Sequence, residues 1–549
     1  MTPTAVAATE TFTQITSPAE QHLAAGREHQ GGGRLTEAIA AYRNGLVSAG
    51  AAGSGPDLVA ELHAKLGNAW MLAGHLDPAA DSYKAALRLA PGLAACWCNL
   101  ATINMRTGNA EGAVALYLQA LKLNPAHWPS RTNLAEALIA TRQHLVAKAL
   151  LIELAEERPQ DAQVRQRLGR ACYELNEREA ALAHFRQAVA LNPNDAESFY
   201  WIGGVSQSLG DLDAAQAAYA RAAQITPLIR RSAVKSPADF RVLALYAPFA
   251  GNTPAEFLFA DAAYDTDTLA LLASSEIDAA ALGGIDVVVN LISDPDQAVN
   301  ELPIAAALAA QLGKPVVNDP GKIVRTTRDA VAALLPGIDR CHVPKILRID
   351  AGADVSRAAL EASLPFPFPL LARPAGTHGG DDFEKISNVE ALSDVLGRLG
   401  GDRYLIEYAD YASHDGHFRK YRFIFVGDEI LPYHLAIGGD WKLHHDSTDM
   451  GDHGWMQREE EAFLQNPAAV FDAGHYAALH EIRARIGLDY FGIDCGIDRE
   501  GRLVVFEVNA SMLVHADNAE FPYKDPYVRA IKAAFDAMLR RRAAIQSQS

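Results

Sequence analysis

The strongest constraint on the fold is a repeat with a period of 34 residues that runs through the first part of the chain. Each of five successive units carries a small residue at one position, which is Gly67, Ala101, Ala135, Gly169 and Gly203. A second column of small residues is Ala79, Ala113, Ala147, Ala181 and Ala215. Four residues further on stand Tyr83, Tyr117, Leu151, Phe185 and Tyr219, and the units end at Pro91, Pro125, Pro159, Pro193 and Pro227. Small residues let two helices approach closely and proline stops a helix, so the period predicts stacked helix pairs with the large side chain between neighbouring pairs.

This pattern resembles the tetratricopeptide repeat. A degenerate earlier copy fits Gly26, Gly33, Ala38 and Tyr42 and is followed by a Gly/Ala/Ser-rich insert, so we predict six units over residues 19–229 after a flexible tail, residues 1–18. The resemblance implies a curved surface that holds an extended peptide or a partner protein. The candidate groove residues on the first helices are Asn68, Asn99, Asn133, Arg170 and Trp201. The alternative is an array that only packs against the rest of the chain or forms a homodimer.

Charge and cysteine content exclude several other classes of protein. The formal net charge is −18, which argues against a general binder of nucleic acid or of acidic membranes. The five cysteines form no C-x-x-C pair, which argues against a structural zinc site and favours a reducing compartment. The N-terminus has neither a basic start nor an apolar core, and no apolar run is long enough to span a bilayer. We therefore predict a cytoplasmic protein without a signal peptide and without nucleic-acid or membrane partners.

The character of the sequence changes after a basic, proline-containing linker, predicted at residues 230–239. The short runs "RVLALYAP", "IDVVVNLIS" and "KPVVND" are rich in β-forming residues, and the helical "AVNELPIAAALAAQLG" with a terminal Gly313 separates the last two. Strand, helix and strand in this order predict a parallel sheet. Neither a dinucleotide-binding fingerprint nor a P-loop sequence is present.

The stretch "YFGIDCGIDREGRLVVFEVNASM" predicts a β-hairpin that turns at Asp498–Gly501. With Asp498 opposite Gly501, one face is apolar and pairs Phe491 with Val508, Ile493 with Phe506 and Cys495 with Val504. The other face carries Asp494 diagonal to Glu507, at about 7–8 Å between backbones, with Asn509 beside them. Oxygen ligands that are few and incomplete suit Mg²⁺, which takes its remaining ligands from water and phosphate. The hairpin therefore predicts a magnesium–triphosphate platform, the alternative being solvated acids on an exposed face.

The order of motifs from residue 315 onward resembles the ATP-grasp superfamily. These motifs are "VVNDPGKIVRTTRDAVAALL", "FPLLARPAGTHGGDDFEKI", "RYLIEYAD", "FRKYRFIFVGDEIL" and "GIDCGIDREGRLVVFEVNAS". They are most similar to the branch that contains glutathione synthetase, D-alanine–D-alanine ligase and the ribosomal-protein glutamate ligase. The resemblance implies a multidomain fold: the all-α tetratricopeptide solenoid, an α/β pre-ATP-grasp domain at residues 240–345, an α+β ATP-grasp domain at residues 346–540, and a flexible tail at residues 541–549.

The resemblance also implies roles for individual residues. Asp494, Glu507 and Asn509 correspond to the metal-binding acids and asparagine, with Mg²⁺ or alternatively Mn²⁺ as the metal. The glycine-rich loop over the ATP phosphates corresponds to Gly376, Thr377, His378, Gly379 and Gly380. Arg373 and Arg328 stand where the family usually has lysines that contact phosphates. The segment that meets adenine corresponds to Glu407, Tyr408 and Ala409, and Arg422 corresponds to the basic residue near the transferred phosphate.

One position departs from the family pattern. D-alanine ligases have an arginine two residues before the first metal-binding aspartate, where this chain has Gly492. Another basic group must then steady the reacting acyl group. The following loop offers Lys442, which we take as the catalytic candidate, together with His444, His445 and His453. A zinc site at these histidines is an alternative, although no zinc-type spacing accompanies them.

The implied activity is that of an ADP-forming carboxylate–amine ligase, in which ATP phosphorylates a carboxylate and an amine displaces the phosphate. Joined to the repeats, this predicts an enzyme that brings its own receptor for a peptide or protein substrate, as in maturation of a ribosomally made peptide. Two alternatives stay open. One is a small-molecule ligase whose repeats serve another partner, and the other is a nucleotide-binding or degenerate scaffold that acts as an interaction module.

Overall fold

A computed structural model describes residues 17–272, 277, 279–377, 382–443, 448, 450–516, 518 and 520–546. The chain divides into two compact units, Met1–Ile225 and Thr226–Ser549. Residues 1–16 of the predicted N-terminal tail lie outside the described residues. Over the described ranges, no helix combines the length and the apolar character that crossing a bilayer requires.

The first unit is all-α, as the 34-residue period predicts. Its twelve helices within the described residues are α1 (Pro18–Gly31), α2 (Leu35–Ala52), α3 (Pro56–Leu72), α4 (Leu76–Leu89), α5 (Ala94–Arg106), α6 (Ala110–Leu123), α7 (Trp128–Ala140), α8 (His144–Glu157), α9 (Ala162–Glu174), α10 (Arg178–Leu191), α11 (Ala196–Ser208) and α12 (Leu212–Ile225). Ser17 caps α1 in a reciprocal capping box with Glu20. Consecutive helices pack as pairs and each pair packs on the next, which confirms a solenoid of six helix pairs.

The large side chain of each repeat packs differently from the prediction. The rings of Tyr83 and Phe185 lie against the small residue of their own helix pair, so that a Cβ at Gly67 would come within 2.7 Å of the Tyr83 ring and one at Gly169 within 2.8 Å of Phe185. Both aromatic side chains are fully buried. The glycine is therefore required by the aromatic ring within a pair, and the ring does more than fill a gap between pairs.

The predicted groove residues make contacts with one another and with the array. Asn99 Nδ2 donates to Asn68 Oδ1 at 2.9 Å, and the Tyr83 hydroxyl donates to the same oxygen at 2.7 Å. Further along the array, Arg170 donates to Glu136 at 2.7 Å, and the Trp201 ring stacks on Phe185 with 5.5 Å between ring centroids. The contacts of Asn99 with Asn68, of Arg170 with Glu136 and of Trp201 with Phe185 link successive repeats.

The domain boundaries differ from the sequence-based ones in two places. Strand β1 (Leu228–Arg231) begins inside the predicted end of the repeats and occupies the start of the predicted linker. At the other end, the last helix continues to Gln546, through most of the predicted flexible tail. In addition, the ranges 240–345 and 346–540 lie together in one compact unit. The sequence did not predict β1 because this strand forms by pairing with residues 266–269, which are distant in the chain.

The second unit mixes helices and sheets. Its strands after β1 are β2 (Arg241–Tyr246), β3 (Asp265–Ala270), β4 (Val287–Asn290), β5 (Val316–Val317), β6 (Cys341–His342), β7 (Ile346–Ile349), β8 (Leu370–Pro374), β9 (Glu384–Ile386), β10 (Arg403–Glu407), β11 (Phe418–Val426), β12 (Glu429–Gly438), β13 (Tyr490–Ile497) and β14 (Leu503–Asn509). Its helices are α13 (Glu301–Leu312), α14 (Pro320–Ile323), α15 (Arg328–Leu334), α16 (Arg357–Ser363), α17 (Val389–Arg398), α18 (Gly454–Gln465), α19 (Ala473–Ile486) and α20 (Asp525–Gln546).

The strands in the described residues form three sheets, with orders β1-β3-β2-β4-β5, β7-β10-β8-β9 and β12-β11-β13-β14-β6. In the first sheet β2 pairs in parallel with both β3 and β4, and β4 with β5, which confirms the predicted parallel sheet. Gly313 ends α13 in the left-handed conformation, with φ +60°. Asn318 after β5 donates to the Tyr490 carbonyl at 2.6 Å and so ties this sheet to the start of β13.

The register of the β13–β14 hairpin differs from the prediction. A bulge lies between Asp494 and Cys495, so that Asp494 stands directly opposite Glu507 rather than diagonal to it. Beyond the bulge Cys495 pairs with Val505, and Val505 is buried in the core, whereas Phe506 lines a cavity on the other face. The predicted pairings Phe491–Val508, Ile493–Phe506 and Cys495–Val504 are therefore wrong, while the common face of Asp494, Glu507 and Asn509 is correct.

Candidate functional site

One cavity of about 340 Å³ collects most of the predicted site residues. Predicted residues that line it are Arg328, Arg373, Glu407, Tyr408, Ala409, Arg422, Lys442, Asp494, Glu507 and Asn509. They come from separate stretches of the second unit, and the volume lies in the range of small-molecule sites. Lys420 also lines the cavity, which gives five basic and three acidic side chains in its described wall. The wall is thus locally basic in a chain of net charge −18.

The central feature is a row of polar residues across four neighbouring strands of the third sheet. His434 on β12 stands opposite Arg422 on β11, Arg422 stands opposite Asp494 on β13, and Asp494 stands opposite Glu507 on β14. Side chains of directly paired residues project from the same face of a sheet. The sheet register therefore brings four residues from distant parts of the chain onto one wall of the cavity.

Asp494 is held by two cations. Arg422 donates to both carboxylate oxygens, through Nε at 2.6 Å and a terminal nitrogen at 2.9 Å, and Lys420 Nζ lies 3.3 Å away. The Asp494 side chain is 5% exposed. Burial alone would raise its pKa, but the charges of Arg422 and Lys420 outweigh burial and hold the pKa of Asp494 well below its usual value. Asp494 is consequently a carboxylate at any physiological pH.

Glu507 and Asn509 form the neighbouring part of the wall. Arg328 from the start of α15 donates to Glu507 Oε1 at 2.7 Å, and Asn509 Nδ2 donates to the same oxygen at 3.3 Å. Asn509 Oδ1 in turn accepts from the Ser511 backbone at 2.6 Å. The Ser511 hydroxyl donates to the Asn252 carbonyl at 3.0 Å, which joins the segment after β14 to the segment after β2. Two carboxylates and one amide oxygen are thus positioned along adjacent strands.

The predicted phosphate loop is only partly within the described residues. Gly376 has φ +69° and its carbonyl accepts from Gln297 at 2.7 Å, while Thr377 Oγ1 accepts from Arg373 at 3.0 Å. His378, Gly379 and Gly380 lie outside the described residues. Arg373 is 5% exposed and also lies over the Phe383 ring. The structure therefore brings Arg373 to the cavity and Thr377 to Arg373.

The predicted adenine segment lies at an apolar part of the cavity. Lys385 Nζ lies over the Tyr408 ring, 3.4 Å from its centroid. The Trp441 ring packs edge to face on the Tyr408 ring, with 6.2 Å between the two centroids. Lys442 lines the cavity and donates to the Phe383 carbonyl at 3.4 Å. An aromatic and aliphatic wall beside charged residues suits a ligand with one flat apolar end and one anionic end.

Sequence reasoning missed several residues of the cavity. Lys420 and His434 line it, as do Phe383, Trp441 and Phe506. Lys420 lies two residues before Arg422 on the same strand, so alternation along β11 could have identified it. The position of His434 follows only from the pairing of β11 with β12, and that of Phe506 only from the bulge in the hairpin.

The oxygen donors of the cavity fit a magnesium ion. Within the described ranges, no group of three or more His, Cys, Asp or Glu side chains is arranged to hold a metal by itself. Asp494, Glu507 and Asn509 provide two carboxylates and an amide, the oxygen donors that Mg²⁺ accepts when phosphate and water complete its shell. Of the histidines considered for zinc, His453 is exposed, and His444 and His445 lie outside the described residues.

Comparison with known protein families identifies the repeats. Family profiles match residues 105–170 and 196–227 as "Tetratricopeptide repeat" and residues 169–210 as "TPR repeat". No curated protein matches the chain at a significant level. The profile matches confirm the resemblance drawn from the 34-residue period.

Solved structures similar to the chain include tetratricopeptide proteins. MamA from Desulfovibrio magneticus RS-1 is 19% identical with a TM-score of 0.29, and covers 30% of this chain and 94% of its own. TTC0263 from Thermus thermophilus is 24% identical with a TM-score of 0.28, and covers 31% and 92%. YrrB, described as a TPR protein with an unusual peptide-binding site, is 20% identical with a TM-score of 0.27, and covers 31% and 87%. On the profile matches and the observed elements, the chain carries N-terminal tetratricopeptide repeats followed by a mixed α/β region.

Proposed function

We propose that the protein is an ATP- and Mg²⁺-dependent carboxylate–amine ligase of the ATP-grasp type whose peptide or protein substrate is held by the tetratricopeptide repeats. The observation that carries the proposal is the row across β11, β13 and β14, where Arg422, Asp494 and Glu507 meet in one cavity. Arg373 and Arg328 approach the same cavity from other elements. This arrangement supports binding of a polyphosphate together with its magnesium ion. The fixed carboxylates can hold the metal, and the surrounding cations can bind the phosphate oxygens.

The proposed chemistry needs no side-chain nucleophile. A carboxylate oxygen of the first substrate attacks the γ-phosphorus of ATP, and the bond from that phosphorus to the oxygen of ADP breaks. The amine nitrogen of the second substrate then attacks the acyl carbon of the acyl phosphate, phosphate leaves, and the nitrogen loses a proton. Arg373, Arg422 and Lys442 stabilise the charge that develops on the phosphoryl and acyl oxygens, so catalysis comes from positioning and electrostatics.

Magnesium would be held by Asp494, Glu507 and Asn509. When bound there, it neutralises charge on the β- and γ-phosphate oxygens. Arg422 and Lys420 pair with Asp494, and Arg328 pairs with Glu507. These ion pairs fix both carboxylates in position, and those of Asp494 keep its pKa well below the usual value.

The repeats supply the substrate-binding half of the proposal. Tetratricopeptide arrays generally mediate protein or peptide interactions, and in this array side-chain contacts such as Asn99–Asn68 and Trp201–Phe185 link successive repeats. Two other functions remain as outcomes of the tests below. They are a ligase for small molecules and a nucleotide-binding scaffold.

Mg-ATP is expected to stabilise the second unit. At 100 times its dissociation constant a ligand adds about 2.7 kcal/mol to the free energy of unfolding. Glu507→Gln should reduce this stabilisation, because a neutral amide neither pairs with Arg328 nor binds the metal as a carboxylate does. Differential scanning calorimetry of the full chain with and without Mg-ATP measures both effects.

Glu500→Gln is the matched control, since Glu500 lies in the turn of the same hairpin and its side chain is 68% exposed. This variant should retain the full stabilisation by Mg-ATP. If Mg-ATP neither shifts the unfolding transition of the wild type nor gives a heat of binding, the ligase proposal is contradicted and the scaffold alternative remains.

Peptide labelling is expected to depend on the repeats. The chain is incubated with Mg-ATP and a pool of candidate peptides, and ligation appears as a mass change on the peptide with release of ADP. Removal of residues 1–225 should abolish labelling while the remaining unit keeps its stabilisation by Mg-ATP, which shows that it is folded. If labelling survives this deletion, the receptor role of the repeats is wrong and the small-molecule alternative gains support.

A further inference from the structure

The row of site residues ends in a histidine that the proposed chemistry has not used. His434 lines the cavity opposite Arg422, and its side chain is 24% exposed. Behind it lies a group of buried polar residues formed by Glu460, Tyr523 and Lys524. The Glu460 side chain is 1% exposed and pairs with the imidazole ring of His434.

Glu460 fixes the protonation of the ring. It accepts from the Leu435 backbone at 3.1 Å and from the Tyr523 hydroxyl at 2.6 Å, and Nδ1 of His434 lies within hydrogen-bond distance of its Oε1. Burial alone would raise the pKa of Glu460, but His434, Lys524 and Tyr523 lower it to about 2, so the carboxylate only accepts. In the neutral tautomer that donates Nδ1–H to Glu460, Nε2 keeps its lone pair.

Burial disfavours the charged form of the His434 ring and shifts its pKa downward. The positive charges of Lys524 and Arg422 lower the pKa further, against the opposing effect of Glu460. The ring is faced by Arg422 from β11, by Glu460 from α18, and by Tyr523 and Lys524 from the segment before α20. Lys524 Nζ lies 3.1 Å from Nδ1 and 3.3 Å from Glu460 Oε1, and burial lowers its own pKa.

We propose that His434 is the proton acceptor for the amine in the ligation and that Glu460 is its positioning residue. As the carbon–nitrogen bond forms and the carbon–oxygen bond to phosphate breaks, the amine proton passes to Nε2 of His434. The carboxylate of Glu460 stabilises the imidazolium that results. This inference rests on the proposed ligase function. It places the amine substrate at the end of the cavity next to β12.

The first test reads the imidazole directly and needs no substrate. Diethyl pyrocarbonate acylates neutral imidazole nitrogens, and peptide mapping by mass spectrometry reports each histidine of the full chain. His480 on α19 is exposed and serves as the internal reference for accessibility. We expect His434 to be acylated in the folded protein and to retain its reactivity at pH 5.5, where an ordinary histidine of pKa about 6.5 is mostly protonated.

Glu460→Gln should slow the acylation of His434, since an amide is a weaker acceptor for Nδ1–H. Because this buried substitution can unfold the protein, Tyr523→Phe is the milder variant that removes one donor to Glu460. No acylation of His434 in a folded chain in which His480 reacts would overturn the proposal, because the ring would then be a buried structural group.

The second test separates proton removal from the rest of the reaction. With the peptide pool used for labelling, ATP-dependent product formation is compared for methylamine, which is protonated at neutral pH, and hydroxylamine, which is not. His434→Gln should lower the rate with methylamine by about 10²–10⁴-fold and leave hydroxamate formation largely intact. His480→Gln should change neither rate.

The outcomes distinguish the two proposals. Equal loss with both amines would overturn the role of His434 as a base and indicate a structural role, with the ligase function unaffected. Absence of ADP release from the wild type with every probe would overturn the ligase function and with it the base, even if His434 is readily acylated.

Discussion

Replacement of Arg422 by methionine is expected to destabilise the second unit by about 3 kcal/mol. The substitution leaves Asp494, with a side chain only 5% exposed, without the guanidinium that binds both of its oxygens. Removal of one partner of a buried ion pair is costly because the other charge stays out of water. The expected value is at the low end of the range for such pairs because Lys420 remains 3.3 Å from Asp494.

Hydrogen exchange resolved by mass spectrometry measures this effect for each strand. Backbone amides of β11 and β13 should exchange about a hundredfold faster in Arg422→Met, the ratio that corresponds to about 3 kcal/mol. Amides of the repeats should be unchanged. The double variant Arg422→Met with Asp494→Asn should be less destabilised than the sum of the two single variants, because the unpaired charge is removed.

Arg340→Met is the matched control. Arg340 pairs with Asp472 at 2.7 Å, but the two side chains are 41% and 55% exposed, so solvent screens this pair and it should contribute little to stability. Equal effects of Arg422→Met and Arg340→Met would contradict the assignment of the Arg422–Asp494 pair as a buried, fixed part of the site.

Replacement of Tyr83 by alanine is expected to destabilise the repeat unit by about 3–5 kcal/mol. The ring is fully buried against Gly67 in its own helix pair. Its hydroxyl donates to Asn68 and accepts from Asn99 at 3.2 Å, so the substitution removes a link between two repeats as well as a core side chain. A helix pair in a solenoid contacts only its neighbours, so the repeats on either side of α3–α4 should also loosen.

Urea unfolding of the full chain, followed by hydrogen exchange of peptides from each unit, measures the loss. Tyr83→Phe keeps the ring and should cost only about 0.5–1.5 kcal/mol. Leu145→Ala is the surface control, since Leu145 is 72% exposed. An effect of Tyr83→Ala no larger than that of Leu145→Ala would show that the ring is not part of the repeat core.

Much of the fold could be predicted because its signals are local. The 34-residue period placed the helix pairs, and Gly313 marked the end of α13 where the structure has a left-handed cap. The three apolar runs of the middle region are strands β2, β4 and β5. Strands β1 and β3 were missed because their pairing partners are distant in the chain, β1 with β3 and β3 also with β2.

The candidate site, like the fold, was predictable from the sequence only where the signal is local. Alternation within one hairpin was enough to place Asp494, Glu507 and Asn509 on a common face, because side chains of a strand point to opposite faces in turn. The exact pairing was not accessible, because a bulge at Asp494/Cys495 shifts the register without any change in composition. That shift puts Asp494 opposite Glu507 and moves Phe506 from the core to the cavity.

The sequence by itself determined the repeat array, strands β2, β4 and β5, and the acids that share a face of the hairpin, since each depends on residues a few positions apart. Only the tertiary structure decided that Arg422 binds Asp494, that Arg328 binds Glu507, and that His434 stands at the end of the same row. Those partners lie between 12 and 179 positions apart along the chain. Their meeting depends on strand pairing and on helix placement, which follow from burial of the whole core rather than from any local pattern.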